Sequence, residues 1–135
     1  MPLTPRQAGT SGTVAIAFET MDPALFDQAS PAFLDALSFG VIGFSDSMIV
    51  EIYNATEASS AGLRPDAVLG QPFFLAIAMC MNNFMVAQRY EDEPVLDAVI
   101  DYVLTFRMRP TPVRLRLIKR PDLRRHYLLI ERLKK

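Results

Sequence analysis

The chain's only cysteine closes the segment Val68-Leu69-Gly70-Gln71-Pro72-Phe73-Phe74-Leu75-Ala76-Ile77-Ala78-Met79-Cys80. This segment has no charged residue and contains two adjacent phenylalanines, a setting typical of a buried thiol. Gly70 and Pro72 break the chain, and the residues after them predict a short helical turn that ends near Cys80. The segment therefore predicts a thiol in apolar surroundings, and no second cysteine is present to form a disulfide bond with it.

A second polar cluster, Tyr53-Asn54-Ala55-Thr56-Glu57, lies 27 residues upstream of Cys80. Its phenol and carboxyl are four residues apart, so they share one face if the segment is helical. A thiol, a phenol and a carboxyl around one apolar pocket would suit a covalently bound chromophore or ligand. Taken singly, Cys80 reads as an inert buried cysteine, Glu57 as a solvated helix residue and Tyr53 as the end of a strand.

Length and composition set the broad class of the protein. The chain has 135 residues, half of them hydrophobic, which is enough for one domain with a real core. No uninterrupted apolar run is long enough to span a membrane, and the N-terminus does not read as a signal peptide. A single cysteine is compatible with a reducing compartment. We therefore expect a cytoplasmic protein that makes no membrane contact.

Several kinds of chemistry have no support in the sequence. His126 is the only histidine, so neither a zinc site nor a Ser-His-Asp arrangement is expected. No glycine-rich phosphate loop is present. Methionines surround Cys80 and could bind copper(I), but they are more simply explained as core residues. We expect no metal site and no enzymatic turnover.

Charge is distributed unevenly along the chain. Residues 1–106 contain 3 Lys/Arg and 13 Asp/Glu, whereas residues 107–135 contain 11 Lys/Arg and 2 Asp/Glu. The basic residues of segment 107–125 could contact nucleic acid. Because the arginines there alternate with apolar residues, a strand with a solvated face is the favoured interpretation. The acidic remainder could neutralise part of this charge within the chain or in a partner.

Local patterns predict an α+β fold with one antiparallel sheet and a separate N-terminal part. Asp22-Pro23 and Ser30-Pro31 are expected to begin short helices, and residues 1–32 are expected to form an arm or cap on a domain of residues 33–135. Polar residues 45–47 predict a hairpin turn. The predicted strands are 39–44, 48–53, 113–117 and 127–133, the predicted helical segments are 54–61, 64–68, 73–78 and 81–90, residues 91–94 and 109–112 are breaks, and residues 95–108 fit either a helix or a strand.

This order of elements, and several motifs within it, resemble the photoactive yellow protein family. The matching segments are Leu37-Ser38-Phe39-Gly40, Tyr53-Asn54-Ala55-Thr56-Glu57, Val68-Leu69-Gly70-Gln71-Pro72-Phe73-Phe74, Cys80, and Met108-Arg109-Pro110-Thr111-Pro112-Val113. The resemblance covers residues 33–133. It implies a PAS fold with a central five-stranded antiparallel sheet. It also implies a blue-light receptor that carries p-coumaric acid as a thioester.

The resemblance assigns a role to each matching site residue. Cys80 falls on the thioester cysteine, and Tyr53 and Glu57 fall on the groups that hydrogen-bond the chromophore's phenolate. Phe73 and Phe74 match an aromatic pair of the pocket region. The remaining match is Met108, which falls on a methionine of the loop that covers the chromophore.

The physical requirements of such a site can be stated independently. A buried phenolate needs hydrogen-bond donors, and Tyr53 can supply one. Glu57 can donate only when protonated, a state that burial favours by raising its pKa. After trans-cis isomerisation, Glu57 could pass its proton to the phenolate. The new buried carboxylate would then loosen the pocket and the N-terminal cap.

Three positions depart from the family pattern. Ala61 replaces a threonine that supports the tyrosine, Leu63 replaces a shielding arginine, and Met79 replaces the proline before the cysteine. Relative to what the resemblance implies, we expect these departures to alter spectral tuning, the rate of recovery in the dark and the shielding of the site.

Two other functions remain open at this stage. The chain could be a PAS module without photochemistry that binds a partner or a small ligand, or the basic strands could contact nucleic acid. The partners expected are an unidentified downstream signalling protein and a second copy of the chain, with nucleic acid the less favoured option.

Overall fold

The computed structural model describes residues 17–105 and 109–133. Its centre is a five-stranded antiparallel sheet with the strand order β2-β1-β5-β4-β3. The strands are β1 (Gly40–Phe44), β2 (Val50–Tyr53), β3 (Leu96–Leu104), β4 (Thr111–Lys119) and β5 (His126–Arg132). Short helices flank this sheet, so the α+β class predicted from sequence is confirmed.

The helices are all short, and most of them connect β2 to β3. They are α1 (Ala24–Gln28), α2 (Pro31–Asp35), α3 (Ala55–Ala61), α4 (Pro65–Val68) and α5 (Ala87–Asp92). A π-helical turn at Phe73–Ile77 and a 3-10 turn at Met79–Met81 lead to and contain the cysteine, and residues 17–20 are also helical. Within 17–105 and 109–133, no helix is long and apolar enough to cross a membrane.

The helix ends follow the capping residues that the sequence indicates. Ser30 Oγ accepts a hydrogen bond from the Phe33 amide at 3.1 Å, with Pro31 as the first helical residue. Asn54 caps α3, and Gly62 ends it with φ 72°, a conformation that glycine adopts without steric cost. These predicted boundaries are confirmed.

Alternating side chains of the sheet form two separate hydrophobic cores. Leu128 and Ile130 of β5 point to one face, under α3, α4 and the helical turns, and we call this the front face. Tyr127 and Leu129 point to the opposite, back face. The sheet is therefore covered on both sides.

The back face is covered by the N-terminal part of the chain. Phe18, Phe26 and Leu34 are buried there against side chains of β1, β4 and β5. Asp27 strengthens the contact, since it accepts a 2.5 Å hydrogen bond from the Tyr127 hydroxyl and a 2.8 Å bond from the Arg124 amide. Residues 17–28 thus pack on the sheet as a cap, whereas residues 1–16 lie outside the described ranges.

The prediction of a solvated arginine face on β4 is wrong. Arg116 is only 3% exposed, and it donates to both oxygens of Asp97 at 2.8 and 2.9 Å. It also donates to the carbonyls of Phe18 and Met21 at 3.3 and 2.9 Å. The cap covers this face, so Arg116 is buried, and Asp97 neutralises its charge within the chain, which is one of the two possibilities that the uneven charge distribution left open.

Two local predictions need correction, and the structure resolves a third that was left open. The helix expected at 81–90 begins only at Ala87 and extends through Asp92, because Asn83 Oδ1 accepts from the amides of residues 85 and 86 and holds an irregular turn there. Within the ambiguous region, residues 96–104 form strand β3, which pairs with β4 along its whole length, and residues 106–108 lie outside the described ranges. Residues 111 and 112 belong to β4 rather than to the preceding turn.

Candidate functional site

A strand-to-helix turn at Asn54 positions the phenol and the carboxyl. Tyr53 is the last residue of β2 and Glu57 lies in the first turn of α3, so the two do not share one helix. Asn54 is 2% exposed, and its Oδ1 accepts from the amides of Val41 and Glu57 at 2.9 and 3.1 Å. Its Nδ2 donates to the carbonyls of Leu34 and Phe39. This residue was predicted only as a helix cap, yet its side chain joins α2, β1 and α3.

Both side chains face a cavity on the front side of the sheet. The thiol-bearing Cys80 and the ring of Phe73 line the same cavity, whose volume is about 30 Å³. The remaining lining residues are Ile42, Ala61, Leu63, Ile77, Ala78, Met81, Leu104, Ile130 and Arg132. Tyr53 and Glu57 therefore share one largely apolar pocket with Cys80, which lies 23 residues beyond Glu57 in the chain.

Phe74 and Met108 were also expected at the pocket. Phe74 is buried but does not line the cavity; its ring packs against Phe73 and Phe44, at centroid distances of 4.9 and 5.6 Å. Met108 lies outside the described residues. Ala61 and Leu63, which depart from the family pattern, do line the cavity, whereas Met79 is largely exposed.

Arg132 is the site residue that sequence reasoning missed. Its Nη1 and Nη2 donate to Glu57 Oε1 and Oε2 at 2.6 and 3.1 Å. The Glu57 side chain is 5% exposed and that of Arg132 is 24% exposed, so the pair lies at the boundary between pocket and solvent. The available signal was the alternation of β5, which places Arg132 on the same face as Leu128 and Ile130.

Burial shapes the acid–base properties of this site. It raises the pKa of Glu57, and the hydrogen bonds and positive charge of Arg132 oppose that rise. Burial also raises the pKa of Tyr53, with a further contribution from the Glu57 charge. Within the described residues no hydrogen bond engages the Tyr53 hydroxyl, so a protonated donor is available to a ligand.

Gly40 makes room for the carboxyl group. A Cβ atom at this position would collide with Glu57 Oε1 and would lie 3.0 Å from Glu57 Cβ. Because residue 40 of β1 has no side chain, the Glu57 carboxyl can lie against the strand and reach Arg132.

The backbone of Cys80 is held from β3. Its carbonyl accepts from the Tyr102 hydroxyl at 2.7 Å and from Asn83 Nδ2 at 3.0 Å. Asn83 Nδ2 also donates to the Tyr102 hydroxyl at 2.8 Å. This network fixes the turn that carries the thiol, and neither Tyr102 nor Asn83 was expected from sequence.

The residues fit the chemistry of a phenolic acyl ligand better than its size. The thiol can form an acyl bond, Tyr53, Glu57 and Arg132 can bind an acidic oxygen, and the walls are apolar. A cavity of about 30 Å³ holds no more than about two water molecules. Binding of an aromatic ligand therefore requires outward movement of partly exposed lining residues such as Leu63, Ile77 and Arg132.

Comparison with solved structures identifies the class of fold. The PAS domain of an HTR-like protein from Haloarcula marismortui superposes with a TM-score of 0.61 at 10% identity, covering 76% of this chain and 93% of that domain. The PAS domain of nitrogen regulation protein NR(II) from Vibrio parahaemolyticus gives a TM-score of 0.56 at 12% identity, covering 78% of this chain and 96% of that domain. The protein has the PAS fold, a five-stranded antiparallel sheet flanked by short helices.

Sequence relatives identify the family more closely, although no family model matches the chain. Photoactive yellow protein from Rhodothalassium salexigens is 31% identical over 87 residues, which span 62% of this chain and 70% of that protein. The corresponding protein from Halochromatium salexigens is 32% identical over 89 residues, spanning 64% and 71%. The photoactive yellow protein domain of the sensor histidine kinase Ppr from Rhodospirillum centenum superposes with a TM-score of 0.73 at 31% identity, covering 79% of this chain and 96% of that domain. The chain belongs to the photoactive yellow protein family.

Proposed function

We propose that this PAS domain is a blue-light photoreceptor that carries p-coumaric acid as a thioester on Cys80. The observation behind this proposal is the convergence of Cys80, Tyr53 and Glu57 on one cavity. Membership of the photoactive yellow protein family supports the choice of ligand.

Attachment requires an activated p-coumaroyl donor. The Cys80 Sγ atom forms a bond to the acyl carbon, the bond between that carbon and the leaving group breaks, and the thiol proton ends on the leaving group. The hydrogen bonds from Tyr102 and Asn83 to the Cys80 carbonyl hold the turn in place while the thiol reacts.

The other site residues bind and orient the ligand. Tyr53 donates its hydroxyl proton to the ligand's phenolic oxygen, and Glu57 donates when its carboxyl is protonated. Phe73 forms an apolar wall of the pocket. Phe74 supports Phe73 from behind, and Met108 covers the site in the role that the family match implies.

When bound, the p-coumaroyl group supplies blue-light absorption and trans-cis isomerisation. Glu57 then releases its proton from a carboxyl oxygen toward the phenolic oxygen. The resulting carboxylate is buried, and its poor solvation loosens the surrounding contacts.

Strand β5 offers a route from the pocket to the N-terminal cap. Arg132 faces the pocket, while its neighbour Glu131 faces the back and accepts from Arg114 at 2.6 and 2.9 Å. Arg114 also pairs with Glu19 at 2.5 Å and lies over the ring of Phe18 at 5.1 Å. Movement at the end of β5 therefore reaches the cap, and we propose cap loosening as the output signal.

The remaining parts of the proposal concern the setting of the domain. Residues 1–32 act as the arm or cap and residues 33–135 as the PAS domain. We propose a non-enzymatic, cytoplasmic sensor that passes its signal to a downstream signalling protein or to a second copy of itself. A neighbour in structure, the Ppr domain, belongs to a sensor histidine kinase.

The test is to incubate the purified chain with an activated p-coumaroyl ester, in parallel with a Cys80→Ser variant. We expect the mass to increase by one p-coumaroyl group and a visible absorption band to appear. That band should bleach under blue light and return in the dark. Both should be lost in Cys80→Ser. Hydrogen exchange during illumination should increase at residues 17–28.

The small volume of the cavity favours a second candidate, a PAS module without photochemistry that binds a partner or a small ligand. Under this alternative the chain remains colourless and its thiol stays unmodified by the ester, even though a small thiol reagent reaches Cys80. That result would contradict the photoreceptor proposal.

A further inference from the structure

Arg132 is an additional charged group inside the candidate site. It joins both oxygens of Glu57 in a two-pronged contact of 2.6 and 3.1 Å. Because guanidinium groups stay protonated and both carboxylate oxygens accept its hydrogen bonds, this geometry is that of an ionised glutamate. The ligand-binding role assumed for Glu57 requires the opposite state, a protonated carboxyl. The free protein and the loaded protein therefore differ by one proton at this residue.

We propose that Arg132 is the resident counter-ion of the pocket, and that ligand binding moves one proton from the ligand's phenol to Glu57 while Arg132 keeps the single negative charge neutralised. This inference rests on the proposed function of the site. It assigns to a residue of β5 the control of which group, Glu57 or the phenol, carries the charge.

The charges and protons balance. Before the transfer the site holds a neutral phenol, the Glu57 carboxylate and the Arg132 cation. Afterwards it holds a phenolate, the neutral Glu57 acid and the same cation. One O–H bond breaks on the phenol and one forms on Glu57, so no oxidant or external base is needed.

Among the groups around Glu57, Arg132 has the largest electrostatic influence on the protonation of the carboxyl. Glu57 contacts Arg132 from β5 and lies against Gly40 of β1, and the other titratable groups that line the cavity with it are Tyr53 from β2 and Cys80 from the 3-10 turn. Among these described residues, only Arg132 brings a positive charge to the carboxyl. Its side chain is partly exposed, so it can shift as a ligand enters and still remain beside the charge.

The first experiment uses the free protein. Infrared difference spectra between the wild type and Glu57→Gln, recorded across pH, report the protonation of Glu57 directly. We expect an ionised carboxyl at neutral pH. In Arg132→Gln the proton affinity of Glu57 should rise at least about tenfold, because an opposite charge in contact is lost.

Two variants separate the role of charge from a structural role. Arg132→Lys should restore part of the effect, since lysine keeps the charge but cannot span both oxygens. Arg64→Gln removes an arginine from an exposed ion pair with Asp66 and should leave the Glu57 titration unchanged. An unchanged Glu57 titration in Arg132→Gln would overturn the proposal.

The second experiment uses protein loaded with p-coumarate. In the wild type a protonated-carboxyl band should appear on loading, together with the longer-wavelength absorption of a phenolate. In Arg132→Gln the negative charge shared by Glu57 and the phenol loses its counter-ion, so the proton affinity of the pair should rise at least about tenfold. The pair should therefore lose its first proton, and the phenolate should appear, only at higher pH. A loaded wild type with a neutral phenol and no carboxyl band would also overturn the proposal. If no thioester forms at all, the photoreceptor proposal fails, and the titration of the free protein still decides the role of Arg132.

Discussion

Two arginine–carboxylate pairs lie on opposite faces of the same sheet, and their surroundings differ. On the back face, Arg116 is buried and all of its contacts are internal, to Asp97 and to two backbone carbonyls of the cap. On the front face the carboxylate is the buried partner, and Arg132 is partly exposed beside a cavity. In the part of the chain that the structure describes, no cavity like the one at Glu57 borders the Arg116–Asp97 pair. The Arg132–Glu57 pair lies beside a cavity, and Arg132 is also partly open to solvent.

This difference distinguishes a structural ion pair from one suited to a switch. Arg116 connects β3, β4 and the cap, and its loss should affect stability first. Arg132 contacts Glu57, whose pKa is raised by burial and lowered by the positive charge of Arg132. Its loss should affect titration first.

The largest expected effect is on the back face. Asp97→Ala leaves the guanidinium of Arg116 buried without its counter-charge and should lower the free energy of unfolding by about 3 kcal/mol. Urea denaturation measures this change. Asp101→Ala, at an exposed position on the same strand, should cost less than about 0.5 kcal/mol. Equal effects of the two substitutions would contradict a structural role for the Arg116 pair.

A second prediction compares glycines of β1 that face opposite sides. Gly40→Ala should displace the Glu57 carboxyl and cost about 2 kcal/mol by overpacking. Gly43→Ala instead meets Tyr127 and Ile52 on the back side, so it should destabilise without changing the Glu57 titration. Thermal denaturation measures the loss of stability in each variant, and the infrared titration measures the change in the protonation of Glu57. An unaltered Glu57 titration in Gly40→Ala would show that the carboxyl does not depend on this gap.

The third prediction concerns pH. Because the pKa of Glu57 is raised in the folded state, the folded protein holds this proton more tightly than the unfolded chain. The stabilisation is fully present below the ordinary value of 4.5 and is lost as pH rises through the folded pKa. Its size is about 1.4 kcal/mol for each unit of the raise. The difference in unfolding free energy between wild type and Glu57→Gln should therefore fall with rising pH, and a difference that grows with pH would contradict this sign.

The smallest effect should come from the cap contact. Tyr127→Phe removes the 2.5 Å hydrogen bond to Asp27 and should cost about 1 kcal/mol. Hydrogen exchange should rise at residues 17–28 and stay constant in α3, and the Glu57 titration should not change. Faster exchange in α3 would show that the two faces are not independent.

Local patterns predicted much of the fold because short-range physics decides it. Helix starts at Ser30 and Asn54 and the stop at Gly62 depend on groups within a few residues, and they match the structure. The region 81–90 was mispredicted because a side-chain network anchored on β3 holds its first part irregular. The helix propensity of that segment could not reveal the network.

The candidate site likewise contains residues that local sequence could indicate and one that only a long-range contact places there. Cys80, Tyr53 and Glu57 could be proposed from their residue types and spacing together with the family resemblance. Arg132 could not, because the alternation of β5 gives only the face on which it lies. Nothing near it in the sequence indicates that β5 pairs with β1, the strand on which α3 packs.

The sequence by itself determined the α+β class, the order of strands and helices along the chain apart from β3, and the presence of a thiol, a phenol and a carboxyl. Only the tertiary structure decided which arginine meets Glu57, which arginine is sealed under the cap, and how little space the pocket holds. The physical reason is that capping and alternation act over a few residues. Ion pairing and burial depend instead on residues such as Glu57 and Arg132, which are 75 positions apart in the chain.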